Sequence, residues 1–399
     1  MHFSPPASRD ERPTRRWQAR FGTALFVAGL LAAIFAVRSL PPAPLYSPRL
    51  GRATYWQSNE SAYFASLRAY EQPIRELLAD GYLPIVVFGD STIRGVGATG
   101  EDVWTRQLEK RLQAANPRVR VLNYAQNAGD LMGPFLYHHL QKKFPQAHYI
   151  VQWFFPSAVG PRHRFHYWLT SEIVLRDGRE NPAVAHSLNT VPVATQEERL
   201  AFALAALNVT TNYLDAGNWV RYLWLGWPFR DHGHRVKIAA LRDAAESDVG
   251  FARFVAPTAE QAATVRGHFL VYQNARANYL NLTASSQEAY FAEMFPGEQR
   301  RRLLLLTLDF NPYFAPQTDN VARETWRTQW TRLRANMARM SDLTWVSLTG
   351  SAHELEVDDY FDMGHLTIGG QHKLAEKVAD RLLAPDGWFP AAPGPTPKP

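Results

Sequence analysis

Apolar residues along this chain fall into two rhythms: short unbroken runs, and longer stretches in which they recur at helical spacing. The runs Ile85–Phe88, Val119–Tyr124, Tyr149–Phe155, Leu303–Leu308 and Trp345–Leu348 are too short for helices and are bounded by turn residues. They predict buried strands. Four helical stretches accompany them. Ser58–Asp80 carries Tyr63, Leu67, Ile74, Leu77 and Leu78. Glu101–Ala115 carries Val103, Leu108 and Leu112, with Thr99 and Asp102 as a loose capping pair. Val321–Met340 carries Trp326, Trp330, Leu333 and Met337, and Gln371–Leu383 carries Leu374, Val378 and Leu382. Strands apolar on both faces, alternating with amphipathic helices, predict an α/β domain: five parallel strands covered by helices on both sides.

The stretch between the third and fourth strands, residues 156–300, is far too long for a structureless loop in a compact domain. Its Leu, Ala, Trp, Tyr and Arg content predicts a helical insertion over the carboxyl edge of the sheet. The domain as a whole is expected over residues 58–385. A Pro-rich tail, residues 386–399, is expected to be disordered. Pro41, Pro42, Pro44 and Pro48 predict a stiff extended linker over residues 39–57.

Ahead of that linker the pattern changes again. Phe21 to Val37 is an uncharged apolar run, preceded by Arg9, Arg12, Arg15, Arg16 and Arg20 and followed by Arg38. With its flanks it reaches the lower limit of a spanning helix. Residues 21–38 are expected to be a transmembrane anchor, with the basic tail 1–20 cytoplasmic and the rest of the chain outside. A cleaved signal peptide is the rival, because such peptides also begin basic. The apolar run is long for that role, and Ile34-Phe35-Ala36 is a poor cleavage pattern.

Composition narrows the chemistry. The 399 residues contain no cysteine, which excludes disulfides, thiol nucleophiles and cysteine-ligated metals. The formal charge of +6 comes mostly from scattered Arg, not from clusters interleaved with aromatics, so a nucleic-acid partner is not expected. His163 with His166, and Asp231, His232 and His234, lack a further ligand at helical spacing and read as loop residues, not metal ligands. His138, His139 and His372 read as helix surface. The aromatic stretch 212–229, with Trp219, Trp224 and Trp227, reads as core, with a membrane-interface contact as the alternative.

Two short blocks carry the candidate chemistry. In VVFGDSTIRGVGATG the first strand ends at Gly89, and Asp90-Ser91 stand on the turn that follows. Ligands of parallel α/β sheets bind at such carboxyl ends. Near the other end, DDYFDMGHLTIGG places Asp362 three residues before His365 and just ahead of the last helix, with Gly364, Gly369 and Gly370 allowing a tight loop. A serine hydroxyl needs a base, and the base needs a partner that fixes its tautomer. Ser91, His365 and Asp362 are the candidate set.

Together these blocks resemble those of the GDSL/SGNH hydrolase superfamily: Gly-Asp-Ser after the first strand and Asp-x-x-His before the last helix. The resemblance implies a flavodoxin-like three-layer α/β/α sandwich, and Ser91, His365 and Asp362 as a catalytic triad acting on ester bonds without metal or organic cofactor. It also implies Gly129, in VRVLNYAQNAGDLMG, as an oxyanion-hole glycine beside the Ser91 backbone N–H. The family's third block, Gly-x-Asn-Asp, is missing: the corresponding YIVQWFFPSAVG has no Asn. Gln152, Ser157, Asn127 and Asn311 are the candidate substitutes. The weak third block, single anchor and long insertion resemble a bacterial membrane-anchored branch that works on envelope polymers with membrane-bound O-acyltransferases, as in teichoic-acid D-alanylation. Expected functions are therefore an esterase on an acylated envelope glycan, an O-acyltransferase partner, or a silent binding module in polysaccharide export. In each case the domain is expected on the periplasmic side of the inner membrane.

Overall fold

The computed structural model describes residues 12–40, 66–95, 98, 100–125, 132–152, 168–185, 196–220, 258, 295, 302–308, 311, 313, 344–348, 355–362 and 364–390. The linker residues 41–57 and the expected helix Val321–Met340 lie outside them. Helix α1 (Arg12–Ser39) contains the apolar N-terminal run. Its segment Arg20–Ser39 has a mean hydropathy of 2.0 and none of it is buried in the protein, consistent with a membrane anchor or a signal sequence.

The domain alternates strands and helices: α2 (Leu67–Ala79), β1 (Leu83–Phe88), α3 (Ser91–Arg94), α4 (Trp104–Ala115), β2 (Val119–Asn123), α5 (Met132–Lys143) and β3 (His148–Gln152). Then follow α6 (Trp168–Asp177), α7 (Gln196–Thr211) and α8 (Tyr213–Val220), all within the long insertion, and finally β4 (Leu303–Leu308), β5 (Thr344–Leu348) and α9 (Ile368–Leu383). Strands β1 to β4 form an all-parallel sheet, and β5 extends it in parallel on β4, in the order β2-β1-β3-β4-β5.

Strands β1 to β4 feed two cores because successive side chains point to opposite faces. Ile85 and Val87 of β1, with Val121, Ile150, Leu304 and Leu306, pack against Leu108 and Leu112 of α4 and Leu374, Val378 and Leu382 of α9. Val86 and Phe88, with Leu122, Val151, Leu303 and Leu305, pack against Tyr70, Ile74 and Leu77 of α2 and Leu136, Tyr137 and Leu140 of α5. Helices thus flank both faces. The chain reaches β2 on one side of β1 and β3 on the other, so the carboxyl ends of β1 and β3 border a crevice where such sheets hold ligands.

Local details depart from the pattern-based expectations. Helix α4 begins at Trp104, after a short 3-10 turn Gly100–Asp102, and its N-cap Val103 makes no side-chain capping bond. A distant residue serves instead: Gln371 Oε1 accepts from Trp104 N–H at 3.2 Å. Helix α9 starts at Ile368, so Gly369 and Gly370 belong to its first turn and not to a loop; Thr367 caps it by accepting from Gly370 N–H at 3.2 Å. Helix α5 bears the pair His138-His139, expected on a helix surface. Its His138 and His139 are 4% and 7% exposed, buried and not on the helix surface. Beyond α9 the chain folds back: Phe389 N–H bonds Leu382 O at 2.9 Å, and the rings of Trp388 and Phe389 pack on His148. The start of the tail is therefore ordered, because two large aromatic residues gain a site at the lower end of β3.

Candidate active site

Strand β1 ends at Phe88, and the next position, Gly89, admits nothing larger than glycine. An added Cβ would lie 2.6 Å from both Gln152 Oε1 and Ile93 Cβ. Asp90 then caps α3: its Oδ1 accepts from Thr92 N–H at 2.8 Å and from Ile93 N–H at 3.4 Å. Its own N–H donates to Gln152 Oε1 at 2.7 Å, across the crevice between β1 and β3. Ser91 is the first residue of α3, so its N–H has no partner four residues back. The α3 backbone is braced from the side: Trp104 Nε1 donates to Ile93 O at 2.6 Å, and Asn123 Nδ2 to the same oxygen at 3.2 Å.

The other half of the site is a loop pinched shut by an antiparallel bridge between Tyr360 and Leu366. Asp362 organises it. Its Oδ1 accepts from the N–H groups of Gly364 (2.8 Å) and His365 (2.7 Å), while Oδ2 faces His365 Nδ1 at 2.7 Å. Phe361 stacks on the imidazole, with ring centroids 5.7 Å apart and planes 14° from parallel. On the far side of the ring, His365 Nε2 stands 2.8 Å from Ser91 Oγ. Thr92 Oγ1 donates to Gly364 O at 2.9 Å and ties the two halves together.

The electrostatics follow from these partners. Burial pushes the Asp362 carboxyl up, but the hydrogen bond and charge of His365 and the two backbone N–H groups outweigh it, leaving the acid below its ordinary value. Burial pushes His365 down, and the bond and charge of Asp362, aided by the charge of Asp90, outweigh that and raise it. The imidazole is thus oriented with one nitrogen on a carboxylate and the other on a hydroxyl, the arrangement required to take a proton from serine.

Of the three residues named from sequence, His365 stands within hydrogen-bonding reach of both Asp362 and Ser91. Gly129, Asn127 and Ser157 lie outside the described residues, as do His163, His166, Asp231, His232 and His234. Asn311 is excluded as an oxyanion donor by its commitments: fully buried, it gives Nδ2 to the carbonyls of Asp362 (3.2 Å) and Val357 (3.4 Å) and takes Tyr313 N–H on Oδ1. It is a brace under the Asp362 loop, a role invisible in sequence because its partners lie 46 and 51 positions away. Of the described candidate substitutes, Gln152 is the one that borders the serine turn. No protein-family model matches this chain, and no curated protein matches it in sequence.

Proposed function

We propose that this protein is a serine esterase of SGNH type, with the flavodoxin-like three-layer fold of that superfamily, anchored by α1 in a bacterial inner membrane. It acts outside the cytoplasm on an ester-linked acyl group, and the substrate class is an acylated envelope glycan. The observation that carries the proposal is the continuous Ser91–His365–Asp362 relay, with contacts of 2.8 and 2.7 Å, at the carboxyl edge of a parallel sheet.

In this mechanism His365 Nε2 takes the Ser91 Oγ proton as Oγ bonds to the ester carbonyl carbon. The negative charge on the carbonyl oxygen is met by the Ser91 backbone N–H and, as the family resemblance implies, that of Gly129; the Gln152 amide is held at the serine turn by the Asp90 N–H it accepts. His365 passes its proton to the departing alkoxide, leaving an acyl-Ser91 ester. Water, deprotonated by His365, attacks that ester; the acid leaves and Oγ recovers the proton. If a sugar hydroxyl replaces water, the same steps give an O-acyltransferase. The absent third-block Asn favours one other reading, a silent binding module in polysaccharide export.

Labelling with a serine-directed fluorophosphonate decides between enzyme and module. Rapid labelling of the wild type that vanishes in Ser91→Ala, together with loss of short-chain aryl ester hydrolysis, is the expected result. No labelling of a folded wild type would leave only the binding module.

A further inference from the structure

Helix α7 is built unlike a helix that faces water. From Leu200 to Thr211 it contains no charged residue. Its inner face is accounted for: Phe202 packs on the core, Ala205 is buried, and Asn208 donates to Glu172 Oε2 at 3.3 Å. Its outer face is a stripe at helical spacing, Leu200, Ala203, Leu207 and Thr210, with Leu200 61% and Leu207 50% exposed. A surface helix normally carries charge on that face.

What covers the stripe is indicated by its neighbour. Helix α1 packs on α7 and α8. Among its described side chains only Ile34 and Val37 are partly buried, the others being exposed. In a span ending at Ser39, those residues lie about 7 and 3 Å inside its outer end. A helix that meets a spanning helix at that depth is itself at the level of the lipid headgroups. Two further bonds fix the junction. Asn212, in the left-handed conformation between α7 and α8, donates Nδ2 to Arg38 O at 3.2 Å, and Arg68 Nη2 donates to Leu40 O at 3.0 Å. Trp219, half-buried on α8, which packs against α1, suits the same boundary.

The junction also has a defined position on the sheet. Arg68 is in the first turn of α2, which runs antiparallel to β1. That turn stands at the carboxyl edge: Tyr124, just past β2, donates to Tyr70 O at 2.8 Å and contacts the ring of Phe88 at the end of β1. The bilayer exit of α1 and Ser91 therefore lie at the same end of the sheet.

We infer that α7 and the outer turns of α1 form one bilayer-contacting surface that holds the serine end of the sheet over the lipid headgroups, so that Ser91 serves acyl esters presented at that surface. The inference rests on α1 being a span and, for its last clause, on the proposed esterase activity. The absence of cysteine allows clean single-site spin labelling. The full chain would be reconstituted in phosphatidylethanolamine/phosphatidylglycerol vesicles with a nitroxide at Leu207→Cys, at Phe26→Cys within α1, or at Gln146→Cys at the opposite, amino edge of the sheet. Expected is higher accessibility to oxygen than to a water-soluble nickel chelate at positions 26 and 207, and the reverse at 146. Lipid contact at 26 with chelate access at 207 overturns the inference and leaves the anchor standing. Chelate access at both sinks the anchor as well. A label at 207 shielded from both reagents means a protein covers the stripe, a second copy or another chain, and also overturns it. For the substrate clause, the same acyl group would be offered on a vesicle-borne long-chain alcohol and on a soluble one. A kcat/KM at least tenfold higher for the former, lost in Leu200→Glu/Leu207→Glu with the soluble rate unchanged, is expected. Equal rates refute that clause. No turnover of either, with position 207 still in lipid, refutes the esterase and leaves the docking surface.

Discussion

His365 shows how much one side chain's surroundings decide. Its Nδ1 partner holds the ring in one tautomer and raises its proton affinity above the ordinary imidazole value. A general base must be neutral to act, so the rate falls as pH drops through that raised value. We expect the acid limb of kcat/KM to have its midpoint above pH 6.5, measured with a soluble aryl ester. Asp362→Asn should lower kcat on the order of 10,000-fold while leaving KM nearly unchanged, because the amide fixes the wrong tautomer of the ring and does not touch substrate binding. Ser91, Asp362 and His365 were legible in the sequence because each block is short and local: a strand ending in Gly-Asp-Ser, and a carboxylate three residues before an imidazole. Gln152 and Asn311 were legible only as candidates. What each does depends on which backbone groups the fold brings to it, and spacing along the chain contains no such information.

At the scale of elements, the least expected feature is the buried cluster joining α2, α5 and α6. His139 of α5 has both ring nitrogens on carboxylates, Nδ1 on Asp177 at 2.9 Å and Nε2 on Glu71 at 3.0 Å. Only an imidazolium donates at both ends. Burial disfavours the charge, but the bonds to Asp177 and Glu71 outweigh it and raise His139. Glu71 is pushed up by burial, yet the bonds and charges of His139 and Lys143 bring it down to about 2. A folded-state value raised above the unfolded one gives stability that is fully present below pH 6.5 and is lost as pH rises through the raised value. The denaturation midpoint should therefore fall as pH is raised above 6.5 through this residue. His139→Leu should cost roughly 3 kcal/mol at pH 6, by leaving buried carboxylates short of partners, and should flatten that slope. The sequence placed His139 on a helix surface because charged neighbours such as Lys142 and Lys143 suggest water. The strands were read well, since buried parallel strands are continuous apolar runs. Helix starts were not, because α4 is capped by Gln371 from across the domain.

The molecule as a whole joins two halves of one site from opposite ends of its chain: Ser91 rides on the β1 turn, and His365 and Asp362 lead into α9, 274 positions later. The parallel sheet was predictable from the alternation of runs and amphipathic stretches. The meeting of its ends at one crevice was expected only through the family resemblance of the two blocks, since strand order is a property of the assembled sheet. Within the second half, imidazole and carboxylate share a single pinched loop and are bonded to each other. Between the halves, Thr92 Oγ1 to Gly364 O and the serine–imidazole contact are direct bridges at the edge itself. Loosening of the domain thus has a seam to follow. Mild urea should part base from nucleophile while the two cores, each sealed by its own helices, still hold. Fluorophosphonate labelling should then be lost at a lower urea concentration than the far-ultraviolet circular dichroism, and coincident loss of the two would show that no such seam exists.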